Sequence, residues 1–206
     1  NSSAISGVIT DGGKFKWDTE KYPGMKDFKK FGPFAYTAKL RNGLFRNTGA
    51  CLSPQNAFYN SIGMETLGLR MERVCDNAKT LAQFFATEYS DIEVNYPGLA
   101  GSKWHNIATE QFGDKFGGII TIRTGNKKRA FGIIDALKLP LIVSNIGDTK
   151  TLVIHPESTL NVHSTQEEKE TAGVFDDLLR TSVGIEDIED LIDDFKQAIE
   201  SVKDVY

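Results

Sequence analysis

The sequence predicts an α/β or α+β domain closed by an amphipathic helix, and three observations carry that expectation. A long helical stretch opens at Ser53-Pro54. From about residue 91, short β-prone runs alternate with helical ones. The end of the chain places Ile185, Ile188, Leu191, Ile192, Phe195, Ile199 and Val202 on one helical stripe. With 206 residues there is room for one domain, or for one and a half. Hydrophobic residues at 40% and charged residues at 25% match ordinary globular usage, which implies a packed core. The same balance excludes collagen, low-complexity disorder and disulfide scaffolds.

Taken in order, residues 5–11 read as a β-prone run closed by Gly12-Gly13, a strand followed by a turn. Residues 14–50 are aromatic, lysine-rich and broken by Pro23, Gly24, Gly32 and Pro33. They read as a long excursion with one helix around 34–41. Ser53 suits an N-cap and Pro54 the first helical position, where its missing N–H costs nothing. Ala57, Phe58, Ile62, Leu67, Met71, Val74, Ala78, Leu81 and Phe85 then recur near the helical period, and Gly63 and Gly68 predict a kink. Strands are expected at 92–94, 116–123, 139–143, 151–154 and 179–183, with helices at 103–111 and 128–138.

Charge and cysteine content narrow the function. The sum of 24 basic and 28 acidic residues is −4, with no clustered basic face, which argues against a nucleic-acid binder. Cys51 and Cys75 form neither a disulfide framework nor a metal-ligand spacing, so a reduced, cytosolic setting is expected. No apolar run approaches the ~18 residues that cross a bilayer, so no membrane partner is expected. The chain does not begin with Met and shows no signal-peptide pattern, so Asn1 is not expected to be the natural start.

Each candidate for chemistry meets a plainer alternative. His155 and His163 lie eight apart with Glu157 between them, and His105 is far upstream; no zinc spacing is matched, and loop or surface histidines are expected. Cys51 precedes a helix start but has no partnered histidine, so a buried structural cysteine is favoured. The run from Thr124 to Arg129 could receive a phosphate at a helix start, although a turn and a solvated basic face explain it as well. Glu186, Asp187, Glu189, Asp190, Asp193 and Asp194 fit the acidic first half of a surface helix. Arg180 stands out, because it lies mid-strand on the face opposite Leu179 and Val183. An inward arginine needs a carboxylate or phosphate partner. On pattern alone a structural salt bridge is favoured over a substrate carboxylate.

Longer strings say more than periodicity. SGVITDGGKFKW, LFRNTGACLSPQNAF, METLGLRMERVCDNAKTLAQFF, NYPGL, KFGGIITI, SNIGDTKTLVIHPEST and LLRTSVGIEDIEDLIDDF resemble, in order and over essentially the whole chain, the pyridoxal-phosphate enzymes of cysteine and methionine metabolism. The long excursion between Asp11 and Ser53, and NTGACLSPQNAF, resemble the O-acetylhomoserine sulfhydrylase branch more than the methionine γ-lyases or cystathionine γ-synthases. A noncatalytic assembly module is the rival of another class.

The resemblance implies an aspartate aminotransferase-like, fold type I transferase of which this chain is the C-terminal portion. Residues 1–52 would be the tail of the large cofactor domain, 53–90 linking helices and 91–206 the small domain. It places the Schiff-base lysine before Asn1, so no catalytic or cofactor-binding residue is assigned to this chain. Pyridoxal 5'-phosphate would belong to the full-length parent, and the chain alone is expected to bind none and to be inactive. Arg180 matches the family's arginine for the substrate α-carboxylate, and Asn145, in VSNIGDTK, matches the Ser/Asn position beside it. HPESTLN stands where the family has HPASTTH, so Asn161 replaces a loop histidine. No metal is implied. The implied partners are the missing N-terminal half, neighbouring subunits of a homodimer or homotetramer, and the substrates O-acetylhomoserine and sulfide. Without the large domain, Phe15, Trp17, Phe34 and Phe45 are expected to be exposed.

Overall fold

A computed structural model describes residues 4–202; Asn1 lies outside them. The chain divides into two compact units, Ser2–Ile62 and Gly63–Tyr206. The first is helical and irregular. A 3₁₀ stretch over Pro23–Phe34, interrupted at Gly32 (φ 55°), leads into α1 (Ala35–Leu40). A π-helical segment, Arg41–Phe45, then joins α2 (Arg46–Thr48). Gly49 stops α2 with φ 64°, a left-handed conformation that glycine adopts without strain.

Residues 5–11 form no strand, contrary to the sequence expectation. The physical reason is pairing: a strand needs a neighbour for its N–H and C=O groups, and among the described residues every strand pair falls in the second unit. Ile5 and Val8 are accordingly 91% and 88% exposed. Phe15, Phe34 and Phe45 are exposed as expected. Trp17 is not: it is half-buried, 4.6 Å from Phe15 and stacked on Tyr36 at 5.7 Å.

Ser53 and Pro54 open α3 (Pro54–Glu65), with the Ser53 hydroxyl accepting from the Asn56 N–H at 3.1 Å. The expected kink falls at Thr66, after which α4 (Leu67–Glu88) begins. The second unit continues through β1 (Glu93–Asn95), α5 (His105–Phe112), β2 (Ile119–Arg123), α6 (Lys127–Ala136) and β3 (Leu141–Ile142). It ends with β4 (Leu152–Ile154), α7 (Gln166–Thr171), β5 (Leu178–Ser182) and α8 (Ile188–Ser201). Sequence reading did not foresee α7, although Thr165 and Glu168 form a reciprocal capping box that signals its start.

The five strands lie in the order β1-β2-β5-β4-β3. All neighbours are antiparallel except β3 and β4. On one face Ile120, Ile122, Val153, Leu179 and Val183 join a single core with Ala78, Leu81 and Phe85 of α4, Ile133 of α6, and Leu191 and Phe195 of α8. Gly118 lets the chain pass close under α4: a Cβ there would stand 2.4 Å from a Val74 methyl. Helices therefore fill one face of the sheet, and Arg180 lies on the other, where Leu152, Ile154, Leu178 and Ser182 are buried.

Candidate functional site

β5 is the central strand, and its alternation decides what the site receives. Leu179, Thr181 and Val183 enter the helical core, so Leu178, Arg180 and Ser182 project from the opposite face. Arg180 is in register with Thr121 on one side and Ile154 on the other, which fixes its backbone firmly. Its Nη2 donates to the Asn145 carbonyl at a long 3.4 Å, and its buried Nε has no hydrogen-bond partner. Among the described residues no carboxylate lies within ion-pair distance of it. Burial lowers its pKa with no neighbouring anion to offset the effect.

Among the described residues, the structural salt bridge favoured by the sequence pattern is therefore absent. Two other arginines of the second unit do have carboxylate partners, although Arg129 Nε is likewise without a hydrogen bond. Arg123 donates from Nε to Asp177 at 3.0 Å, and Arg129 holds Asp91 at 2.6 Å. An unmatched, half-buried cation is costly in water's absence, and a planar guanidinium can take both oxygens of an incoming carboxylate.

Asn145 belongs to the loop between β3 and β4. The structure brings it to Arg180 through its carbonyl, while its own Oδ1 accepts from the Ile146 N–H at 2.9 Å. The loop is pinned from β5 as well, the Gly147 N–H donating to the Ser182 hydroxyl at 3.3 Å. The two residues singled out in the sequence thus meet, 35 positions apart in the chain.

The other candidates disperse. His155 is buried, not on the surface as expected; Nε2 faces the Asp176 carbonyl and Nδ1 the Ser158 hydroxyl, each at 2.8 Å. His163 is exposed, and His105 lies against the Pro97 carbonyl at 2.9 Å. Among the described residues no three metal-ligating side chains converge. Cys51 is exposed, which corrects the expectation of a buried thiol, because it sits in irregular chain before α3; Cys75 is buried in α4. The run at 124–129 is largely occupied internally, with Lys128 exposed. Asn126 caps α6, Lys127 pairs with Glu157 at 2.8 Å, and Arg129 pairs with Asp91.

The acidic cluster is not a uniform solvated face either. Asp187 caps α8, whereas buried Asp194 accepts from the Lys138 and Leu139 N–H groups, each at 2.9 Å. Glu186 leaves the helix altogether and accepts from Thr151. Sequence reading missed Asp177, Asp194 and Glu186 as anchors. Periodicity carries no signal for them, since their partners lie 35–56 positions away.

Residues 1–200 match the description "Cys/Met metabolism PLP-dependent enzyme". O-acetyl-L-homoserine sulfhydrylase of Corynebacterium glutamicum is 38% identical over 213 residues, covering 95% of this chain and 48% of that protein. Homocysteine synthase of Schizosaccharomyces pombe is 37% identical, covering 97% of this chain and 50% of its own. The chain thus spans about half the length of the curated relatives it matches. Among solved structures, a Campylobacter jejuni chain described as an O-acetylhomoserine (thiol)-lyase superposes with a TM-score of 0.76 at 38% identity, over 80% of this chain and 39% of that one. That structure carries a pyridoxyl-lysine phosphate residue.

Proposed function

The chain belongs to the pyridoxal-phosphate-dependent enzymes of cysteine and methionine metabolism, and from that premise we propose that it carries the substrate-carboxylate site of an O-acetylhomoserine sulfhydrylase. The reaction exchanges the acetoxy group of O-acetylhomoserine for sulfur. The C–O bond to acetate breaks, a C–S bond to sulfide forms, and homocysteine and acetate leave. One observation supports the assignment above the others: the Arg180 guanidinium is half-buried, held by the central strand, and without an acidic partner among the described residues.

In this reading Arg180 grips the α-carboxylate through two parallel N–H···O bonds, and Asn145 lies beside it. Holding that end of the substrate places its α- and β-carbons for proton transfer, so the chain contributes orientation, not bond making. Pyridoxal phosphate, when bound, supplies an electron sink for charge developing next to the carboxylate. The described residues fit the carboxylate end of the substrate; none is assigned to the cofactor's phosphate or ring. The lysine that attaches the cofactor in the family is assigned to no lysine of this chain. The proposal places the protein in the cytoplasm, in methionine biosynthesis, as a transferase working as a homodimer or homotetramer.

Arg180→Lys in the enzyme that contains this chain tests the reading. Losing the forked grip removes one charged hydrogen bond, about 1.5–3 kcal/mol, which corresponds to a roughly 10- to 150-fold loss in kcat/KM. The loss should appear as a raised KM for O-acetylhomoserine, with the KM for sulfide nearly unchanged. A variant that loses stability while its folded molecules keep full activity would make Arg180 structural and defeat the assignment.

A further inference from the structure

We propose that Glu186 is a positioning residue of the carboxylate site: it holds Thr151, and through Thr151 the loop that lays Asn145 against Arg180. The inference rests on reading Arg180 as the carboxylate-binding group. Glu186 lies between β5 and α8, and its backbone is fixed from α4. Buried Asn77 donates from Nδ2 to the carbonyls of Gly184 at 3.1 Å and Glu186 at 2.9 Å, and Arg73 Nη2 reaches the Glu186 carbonyl at 3.2 Å. From that fixed point the side chain turns toward the loop before β4. Oε1 accepts from the Thr151 N–H, and Oε2 accepts from the Thr151 hydroxyl at 2.9 Å.

Thr151 passes the connection on in both directions. Its hydroxyl accepts from the Gly184 N–H at 2.9 Å, while the Ile185 N–H donates to the Thr149 carbonyl at 2.9 Å. With the Gly147 to Ser182 bond, five hydrogen bonds join residues 147–151 to residues 182–186. The approach is close enough that a Cβ on Gly184 would stand 2.4 Å from Glu186 Oε2 and 2.5 Å from the Thr149 carbonyl oxygen. Residues 141–147 are otherwise exposed, and the contact of Asn145 with Arg180 is a long one at 3.4 Å. The loop's place beside the guanidinium is therefore set by the Gly147 to Ser182 bond and from the Thr151 end, where three of the five bonds converge.

The chemistry requires an acceptor at 186. Thr151 offers it two donors, an N–H and an O–H, and a carboxylate accepts both without rotating. Glutamine can keep both contacts, its NH₂ donating to the free lone pair of the Thr151 hydroxyl, whereas Glu186→Met removes both acceptors with little change in size. Thr151→Val removes the hydroxyl from the other end, and Thr151→Ser restores it.

The test follows the Arg180 Nε–Hε and Ile146 backbone signals by ¹⁵N NMR in the full chain during titration with acetate and with O-acetylhomoserine, with acetamide as the neutral control. In the unaltered chain and in Thr151→Ser, both carboxylates should shift the Arg180 signal saturably, and acetamide should not. In Glu186→Met the dissociation constant should rise at least about fivefold while the chain remains folded at the temperature of the titration. Thr151→Val should behave in the same way and stands in should Glu186→Met fail to fold. Equal affinity in both variants, with Arg180 still responding, overturns the role of Glu186 and leaves the carboxylate reading intact. An Arg180 signal silent to carboxylates in the unaltered chain overturns both.

Discussion

Ile5, Val8 and Ile9 in one unit and Ile120, Ile122 and Val153 in the other are the same kind of β-prone residue, yet the first three face solvent and the last three are core. The difference lies in what surrounds them. Around Ile120 and Val153, neighbouring strands take up the backbone groups, and α4, α6 and α8 cover the side chains. Around residues 5–11 the first unit supplies neither, so propensity alone does not produce a strand. Aromatic contacts partly compensate, with Phe15, Trp17, Tyr22 and Tyr36 forming a small ring cluster. The lesson is that a local pattern becomes structure only where the chain also contains its partners.

The largest test of this contrast is where the self-sufficient unit begins. Ala78, Leu81, Ala82 and Phe85 of α4 are all fully buried in the core of the second unit. A chain cut to 63–206 should therefore keep a cooperative unfolding transition, while one cut to 91–206 should lose it. Leu81 and Phe85 alone account for roughly 2–5 and 3–5 kcal/mol when truncated to alanine, a large part of a typical ~5–15 kcal/mol stability. Circular dichroism during urea titration reads this directly. A cooperative 91–206 with the midpoint of 63–206 would remove α4 from the core.

Single substitutions sharpen the same comparison. Phe85 packs edge-to-face on Phe195 at 5.2 Å and is fully buried, whereas Phe34 is 72% exposed. In the full chain Phe85→Ala should cost about 3–5 kcal/mol, and Phe34→Ala no more than about 0.5 kcal/mol. Chemical denaturation of the two variants side by side gives the difference. Comparable losses would mean that Phe34 is covered in solution.

How much was legible in the sequence follows the same division. Apart from α7, which buries no residue, the regular elements of the second unit stand close to where alternation and helical period put them, because a face buried against a core leaves a periodic trace. The Ser53-Pro54 start and the break near Gly63 were readable from capping chemistry and glycine. Arg180 was visible as the residue of β5 that breaks the apolar pattern, but its missing partner was not. Whether a carboxylate stands opposite a strand residue depends on a loop 35 positions away. The same distance hid Glu186, Asp177 and Asp194, whose charges look like surface until their long-range donors are known. Resemblance paired Arg180 with Asn145, which no spacing rule could have done.

The smallest effect concerns charge, and it too separates the units. Among the described residues every ion pair lies beyond residue 62. Glu157 is the most strongly held of these groups. Lys127 at the start of α6 and Lys169 in α7 both bond to it, and they bring its pKa from the ordinary 4.5 down to about 2. A carboxylate with a depressed folded-state pKa adds stability that is fully present above the unfolded value. That contribution is lost as pH falls from about 4.5 toward about 2. Because Lys127 is nearly half exposed, solvent screening keeps the contribution to about 1 kcal/mol or less. Glu157→Gln in the 63–206 chain should therefore lower the urea midpoint slightly at pH 6, and the gap to the unaltered chain should close steadily as the pH is taken below 4. A gap that stays constant from pH 6 to pH 2 would mean that the two lysines hold Glu157 no more tightly in the folded chain than in the unfolded one.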